Sequence, residues 1–125
     1  MPVECKEINN LNNFVKGWYI DDLSLCDKII NYFESSPNKN PGLCGPEVNL
    51  NFKASTDCKL SDENLLTEYI SELQKCVNKY IDLYPAVNGY SPWTITQDIN
   101  IQRYKPSEAF HGWHTERTGT DHVEM

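Results

Sequence analysis

The chain has 125 residues, of which 39% are hydrophobic and 23% charged, so it can form one compact domain but not two independent cores. Its formal net charge of −7 argues against a general electrostatic grip on DNA, RNA or anionic lipid, since these partners require clustered lysine and arginine. The sequence has no apolar run of the roughly 20 residues that span a membrane and no secretory signal, so a cytoplasmic protein is predicted.

The first predicted elements are a short strand and a helix. Residues 14–20 favour a strand because Trp18 and Tyr19 supply the bulk that strands prefer. Residues 24–35 predict an amphipathic helix, because apolar residues recur at intervals of three and four. The predicted apolar stripe consists of Cys26, Ile29, Ile30 and Phe33.

A loop and a second strand are predicted next. The segment that follows residue 35 is rich in proline and glycine, which interrupt regular structure. Residues 48–55 then predict an edge strand, since Leu50 and Phe52 alternate with polar residues.

The clearest predicted helix begins at Ser61 and ends before Pro85. Asp62 and Glu63 favour the positive end of the helix dipole. Its apolar stripe is expected to pack against a sheet. The stripe consists of Leu66, Tyr69, Ile70, Leu73, Val77, Tyr80, Ile81 and Tyr84.

The period becomes that of a strand from Trp93, where apolar and polar residues alternate as far as Gln102. A turn is predicted at residues 103–106, followed by a second short extended run at residues 113–116. Two helices ahead of consecutive strands predict an α+β protein in which the helices brace a β-sheet. The five cysteines are odd in number, widely spaced and without a CxxC pair, so reduced thiols are predicted.

His114 and Glu116 are the candidate metal ligands. Residues two apart in a strand project from the same face, so the imidazole and the carboxylate can converge on one ion. One nitrogen and one oxygen ligand form two-thirds of a 2-His-1-carboxylate facial triad, which leaves open positions on Fe(II). Taken alone, such a pair is also typical of a solvated strand surface.

Residues 99–119 resemble the strand-turn-strand that opens the catalytic barrel of prolyl-4-hydroxylase-like 2-oxoglutarate oxygenases. Tyr104 and Pro106 match the family's Tyr-x-Pro turn, and His114 matches its first iron ligand. Glu116 stands where the family usually has aspartate, although either carboxylate can bind the metal. A weaker likeness covers the leading helix, and elsewhere only the order of elements agrees.

The resemblance implies a fold for the whole chain. Residues 1–125 would form a single domain in which N-terminal helices, at about 22–85, brace the first part of a double-stranded β-helix, or jelly-roll, barrel at about 93–125. The family's second iron-binding histidine and its basic residue for 2-oxoglutarate lie in later strands. An N-terminal fragment that is inactive by itself is therefore expected.

The resemblance also implies an activity. A 2-oxoglutarate- and Fe(II)-dependent dioxygenase would hydroxylate a peptidyl proline or a similar substrate, with ascorbate as an accessory reductant. His114 and Glu116 would bind iron, and Tyr104 would lie near a carboxylate of 2-oxoglutarate; no separate catalytic side chain is assigned. The expected partner is a peptide or small-molecule substrate, with neither nucleic acid nor membrane, and the oligomeric state stays open.

Two alternatives remain. A non-catalytic jelly-roll structural or interaction module would keep the helices and strands without metal. A zinc hydrolase would need a third protein ligand, and the sequence has no HExxH motif. Among the other candidates, His111 and His122 are discounted as iron ligands, while Arg103 and Arg117 flank the site and are more typical of solvated strand ends.

Overall fold

The computed structural model describes Cys5–Lys6 and residues 14–114, and its architecture is α+β, as the sequence predicted. These residues form two α-helices, a two-stranded pair and a three-stranded antiparallel sheet. The chain divides into two compact units, Met1–Tyr32 with Ser61–Gln97 and Phe33–Leu60 with Asp98–Met125. In the described part of the chain, neither helix has the length and hydropathy required to cross a bilayer.

The first unit contains a strand pair and most of the helical residues. Strand β1 (Cys5–Lys6) pairs antiparallel with β2 (Gly17–Trp18), which is the only part of the predicted strand at 14–20 that the described residues form. Helix α1 (Ser24–Ser35) matches its predicted bounds, and its last turn belongs to the second unit. Helix α2 (Glu63–Leu83) is followed by a 3-10 turn at Pro85–Asn88.

The buried face of α1 differs from the predicted stripe. Leu25 and Phe33 are buried and Ile29 is half-buried, which defines a face with residues four apart. Cys26 and Ile30 were predicted on the apolar face but are exposed, Ile30 by 56%. The buried face therefore includes Leu25 in place of its neighbour Cys26, and Ile30 lies outside it.

Helix α2 begins and ends where local chemistry requires. The carboxylate of Asp62 accepts a hydrogen bond from the backbone N–H of Leu65 at 2.8 Å, so Asp62 rather than Ser61 is the N-cap. The backbone N–H of Tyr84 closes the last turn on Tyr80, and Pro85 follows. The predicted apolar stripe is half-buried along its whole length, and the one fully buried residue of the helix is Leu65.

Side-chain contacts tie α2 to earlier segments of the same unit. The hydroxyl of Tyr80 donates to the backbone carbonyl of Phe14 at 2.7 Å, and the rings of Phe14 and Tyr84 lie 5.3 Å apart. Two surface ion pairs lie along the same helix, Lys28–Glu68 and Lys75–Asp21. Exposed pairs of this kind each contribute little to stability, so the aromatic contacts carry more of the packing.

The second unit is built on a three-stranded antiparallel sheet in the order β3-β4-β5. Its strands are β3 (Asn40–Pro41), β4 (Thr56–Lys59) and β5 (Asn100–Arg103). Cys58 lies opposite Ile101, and Asp57 lies opposite Gln102. Because strand residues alternate between faces, Cys58 and Ile101 share one face and Asp57 and Gln102 share the other. The first of these faces is apolar and contains Cys58, which is 2% exposed.

The strand predicted at 48–55 is wrong. The backbone carbonyl of Asn49 accepts hydrogen bonds from the N–H groups of Phe52 and Lys53, and its side chain accepts one from Asn51, so the first half of this segment is a turn. Short polar side chains compete with strand pairing in this way. Leu50 is accordingly 63% exposed. Of the predicted strand, only an isolated antiparallel bridge at Lys53 is formed.

The strand predicted from Trp93 is shorter than expected, because only Asn100–Arg103 is in β5. The ladder ends where the backbone N–H of Leu60 donates to the carbonyl of Ile99. After Leu60 the partner segment turns into α2, so residues 92–98 have no strand partner in the described part of the chain. Trp93 is 46% exposed as a result.

Replacing the N-cap of α2 tests the assignment of its first turn. Asp62→Ala is expected to lower the free energy of unfolding by about 1 kcal/mol, because the N–H of Leu65 loses its acceptor. Ser61→Ala is the matched control and should be nearly neutral, because the backbone N–H of Ser61, which donates to Tyr32, is retained. Equal losses in the two variants, measured by urea unfolding, would contradict the assignment.

Candidate functional site

A short antiparallel pairing holds the segment that leads to His114. The backbone N–H of Ala54 donates to the carbonyl of Ala109 at 2.9 Å, and the N–H of His111 donates to the carbonyl of Phe52 at 2.7 Å. Lys53 and Phe110 form the bridge between these two bonds. Residues 109–111 are therefore fixed against residues 52–54, and the backbone of Phe110 has a defined position.

Three aromatic rings follow one another from this pairing to the predicted metal ligand. The ring of Phe52 meets that of Phe110 edge-on, with centroids 5.4 Å apart and an interplanar angle of 75°. The imidazole of His114 is stacked on Phe110 at 3.7 Å and 19°. Gly112 leaves room for Phe52, because a Cβ at this position would lie 2.3 Å from the Phe52 ring. The loop between Phe110 and His114 thus requires glycine at position 112.

The imidazole of His114 has a defined hydrogen bond. Its Nδ1 lies 3.1 Å from the backbone carbonyl oxygen of Gly112, and a carbonyl can only accept, so Nδ1 carries the proton. In the neutral ring the lone pair is then on Nε2. Metal-binding histidines usually hold their second ring N–H in this manner, so His114 has the tautomer that a ligand through Nε2 needs.

The extended run predicted at residues 113–116 is wrong for Trp113 and His114, which lie in irregular backbone after a bend at Gly112. Four residues of a strand would separate Phe110 from His114 by about 13 Å. Their stacked rings instead require the chain to turn back. Glu116 lies outside the described residues, so its convergence with His114 stays a prediction.

Tyr104 lies just after β5 and is 40% exposed. Its hydroxyl donates to the side-chain carbonyl of Gln102 at 3.3 Å. A turn follows β5, but it lies about two residues later than the predicted 103–106, because Arg103 is still in the strand; its centre is Pro106 and Ser107, and the N–H of Glu108 donates to the carbonyl of Lys105. A recess of about 560 Å³ beside His114 is lined by residues 110–114. Among the described residues Tyr104 does not line this recess, so its predicted role beside 2-oxoglutarate stays a prediction.

Arg103 is engaged in the packing of the second unit. One guanidinium nitrogen contacts the Glu34 carboxylate at 3.0 Å, and the guanidinium lies 4.9 Å from the ring centroid of Phe33. These contacts indicate a structural cation rather than a substrate contact. Arg117 and His122 lie outside the described residues, and His111 is exposed.

A buried polar network lies beside the pairing and was missed at the sequence level. Lys53 is 4% exposed, and its ammonium contacts the carboxylate of Asp57 at 3.1 Å. The same carboxylate accepts hydrogen bonds from the Ser55 hydroxyl at 2.7 Å and from the Asn100 amide at 3.0 Å, with a longer one from Gln102 at 3.4 Å. Polar residues at 53, 55 and 57 alternate along the sequence, and this spacing could have indicated one shared face.

The charge of Asp57 is stabilised by this network. Burial by itself would raise the pKa of Asp57, but hydrogen bonds from Ser55, Asn100 and Lys53 outweigh it and lower the pKa below its ordinary 3.8. The network is tightly packed, because a Cβ on the buried Gly42 would lie 2.1 Å from the Ser55 hydroxyl oxygen. The carboxylate is therefore ionised in the folded chain at neutral pH.

Within the described residues, no group of three histidine, cysteine, aspartate or glutamate side chains is placed to hold a metal, and His114 is the single predicted ligand in that range. No protein-family model matches the chain, and comparisons with curated proteins and with solved structures find no significant match. The oxygenase resemblance thus rests on the residues of this chain.

Removing the charge of Asp57 tests its structural role. Asp57→Asn is expected to lower the free energy of unfolding by about 3 kcal/mol, because Lys53 keeps a buried charge without a counterion. Asp98→Asn is the matched control: it also removes a carboxylate paired with a lysine, but both side chains are exposed, and the expected loss is below about 1 kcal/mol. A loss for Asp57→Asn no larger than that of the control would contradict the role.

The same carboxylate should make stability depend on pH. Because its folded-state pKa is below 3.8, its contribution is complete well above pH 3.8 and is lost as the pH falls through 3.8 towards the folded-state pKa. The difference in unfolding free energy between the native chain and Asp57→Asn should therefore be constant from about pH 7 to about pH 5 and shrink below about pH 4. A difference that grows on acidification would show the opposite sign.

Proposed function

We propose that the chain is part of a 2-oxoglutarate- and Fe(II)-dependent dioxygenase of the prolyl-4-hydroxylase-like group. The observation that carries the proposal is the state of His114. Its ring is stacked on Phe110 and its Nδ1–H donates to a backbone carbonyl, so Nε2 is the ring nitrogen that carries the lone pair a metal would bind. This histidine is also the residue that matches the family's first iron ligand.

The proposed site uses His114 and Glu116 as ligands. His114 supplies a neutral imidazole nitrogen, and Glu116, two residues later, supplies a carboxylate oxygen, the two donor types of the facial triad. Bound iron would supply the coupled reaction in which one O2 oxidises 2-oxoglutarate to succinate and CO2 and hydroxylates the substrate, with ascorbate as accessory reductant. Tyr104 is proposed to contact a carboxylate of 2-oxoglutarate through its hydroxyl.

The proposed fold is the beginning of a double-stranded β-helix at about residues 93–125, with β5 among its strands and the part of the chain at about 22–85 as support. The antiparallel pairing of β4 with β5 and the turn at Pro106 are consistent with this arrangement. The proposed substrate is a peptidyl proline or a similar group. One observation favours the alternative, a non-catalytic jelly-roll module: the Tyr104 hydroxyl contacts Gln102 and not the recess beside His114.

Metal binding at His114 is the first test. Co(II) is the probe, because it binds nitrogen and oxygen ligands more tightly than Fe(II) and its paramagnetism identifies nearby protons even when binding is weak. Co(II) is expected to broaden the ring resonances of His114, and His114→Ala should raise the dissociation constant at least about tenfold. The assay is repeated under anaerobic conditions with Fe(II).

The matched control is His111→Ala, which removes the exposed histidine three residues earlier and should leave Co(II) binding unchanged. Addition of 2-oxoglutarate should tighten Co(II) binding, and Tyr104→Phe should reduce that gain. Absence of broadening at His114, or equal losses in the two histidine variants, would exclude the oxygenase proposal and favour the non-catalytic module.

A further inference from the structure

We infer that Phe110 is a positioning residue for the metal ligand His114 and that Phe52 holds Phe110 in place. The inference rests on the proposed function, because it concerns the orientation of Nε2 towards a metal. It does not follow from the resemblance, which concerns the ligands themselves. Two ring contacts support it: the stacked Phe110–His114 pair and the edge-on Phe52–Phe110 pair.

A single hydrogen bond does not fix the orientation of the imidazole plane. The contact of Nδ1 with the Gly112 carbonyl fixes one ring atom, but the ring plane can still rotate about that direction. Stacking on Phe110 at an interplanar angle of 19° fixes the plane as well. Together the two contacts define the direction of the Nε2 lone pair, which is the quantity that a metal site requires.

Phe110 can orient His114 because both its backbone and its ring are held by other residues. Its backbone neighbours are hydrogen-bonded to Ala54 and Phe52, and its ring meets the edge of the Phe52 ring. Phe52 in turn lies against the backbone of Gly112, with no space for a side chain there. The Phe52 ring therefore contacts both the start of the short loop, at Phe110, and its middle, at Gly112.

The imidazole of His114 lies at the surface, where a metal ion could reach it. His114 is exposed, and residues 110–114 line the open recess beside it. A histidine that served only to fill the core would be buried among apolar groups. Here the stack covers one face of the imidazole, and the residue as a whole is exposed.

The test combines an NMR readout at fixed pH with Co(II) binding. The ring protons of His114, assigned by their loss in His114→Ala, should show an upfield ring-current displacement in the native chain. Phe110→Leu should remove this displacement and weaken Co(II) binding about two- to tenfold, the equivalent of one aromatic pair. Phe110→Tyr keeps the aromatic face and should restore both values.

Trp113→Leu is the matched control, because it removes a fully exposed aromatic ring next to His114 and should change neither value. Phe52→Leu is the second variant, which leaves the stack but removes its support and should shift both values in the same direction by less. If Phe110→Leu does not fold, Phe52→Leu decides, and native values in that variant overturn the inference.

The possible failures are distinguishable. Co(II) binding that requires His114 but is unaffected in a folded Phe110→Leu variant overturns the positioning role and leaves the proposed function intact. An undisplaced His114 resonance in the native chain overturns the stack itself. Absence of His114-dependent Co(II) binding in the native chain overturns the proposed function, and the positioning role fails with it.

Discussion

The ion pair between Lys53 and Asp57 is the interaction on which the second unit depends. Lys53 is 4% exposed, and a buried ammonium is very unfavourable without a counterion, so the burial of Lys53 requires Asp57 beside it. The carboxylate also accepts hydrogen bonds from Asn100 and Gln102, and it thereby joins β4 to β5. Lys53 itself lies between Phe52 and Ala54, the residues whose backbone holds the segment that carries Phe110. One charge pair therefore connects the sheet with the candidate site.

The helices were predictable because their determinants are local. The carboxylate before α2 and the proline after it lie next to the residues that they affect, and the structure has both ends close to the predicted positions. Which face of a helix is buried depends less on local sequence. Ile29 and Phe33 fit an apolar stripe that includes Cys26 and Ile30 as well as one that includes Leu25. Only the packing of the folded chain shows that Leu25 is the buried residue. A period of 3.6 residues allows neighbouring stripes that share members.

The strands were predicted poorly because a strand needs a partner as well as a pattern. Apolar and polar residues alternate at 48–55 as they would in a strand. The hydrogen bonds of Asn49 are local, however, so they form a turn without needing a partner strand. The candidate site has the same limitation. His114 could be chosen from its residue type and its separation from Tyr104 in the sequence, whereas its stack on Phe110, and the contact of Phe110 with the distant Phe52, could not be predicted from spacing. The spacing argument assumed an extended chain at residues 113–116, and the described part of the chain instead has a bend at Gly112 and no strand at Trp113 or His114.

The polar network also explains why the sheet has a single register despite few buried apolar residues. Cys58 and Leu60 are buried in the second unit, but an apolar face alone would tolerate other alignments of similar residues. Asp57 lies opposite Gln102 in the observed register, which places the carboxylate within reach of the amides of β5. A slip of one residue would turn these amides to the other face and leave the buried Lys53–Asp57 pair with fewer hydrogen bonds. The cost of each lost bond to a charged group, about 1.5–3 kcal/mol, is large compared with the differences between alternative apolar contacts. The same network that places a buried charge in the fold therefore favours the observed alignment of β4 with β5.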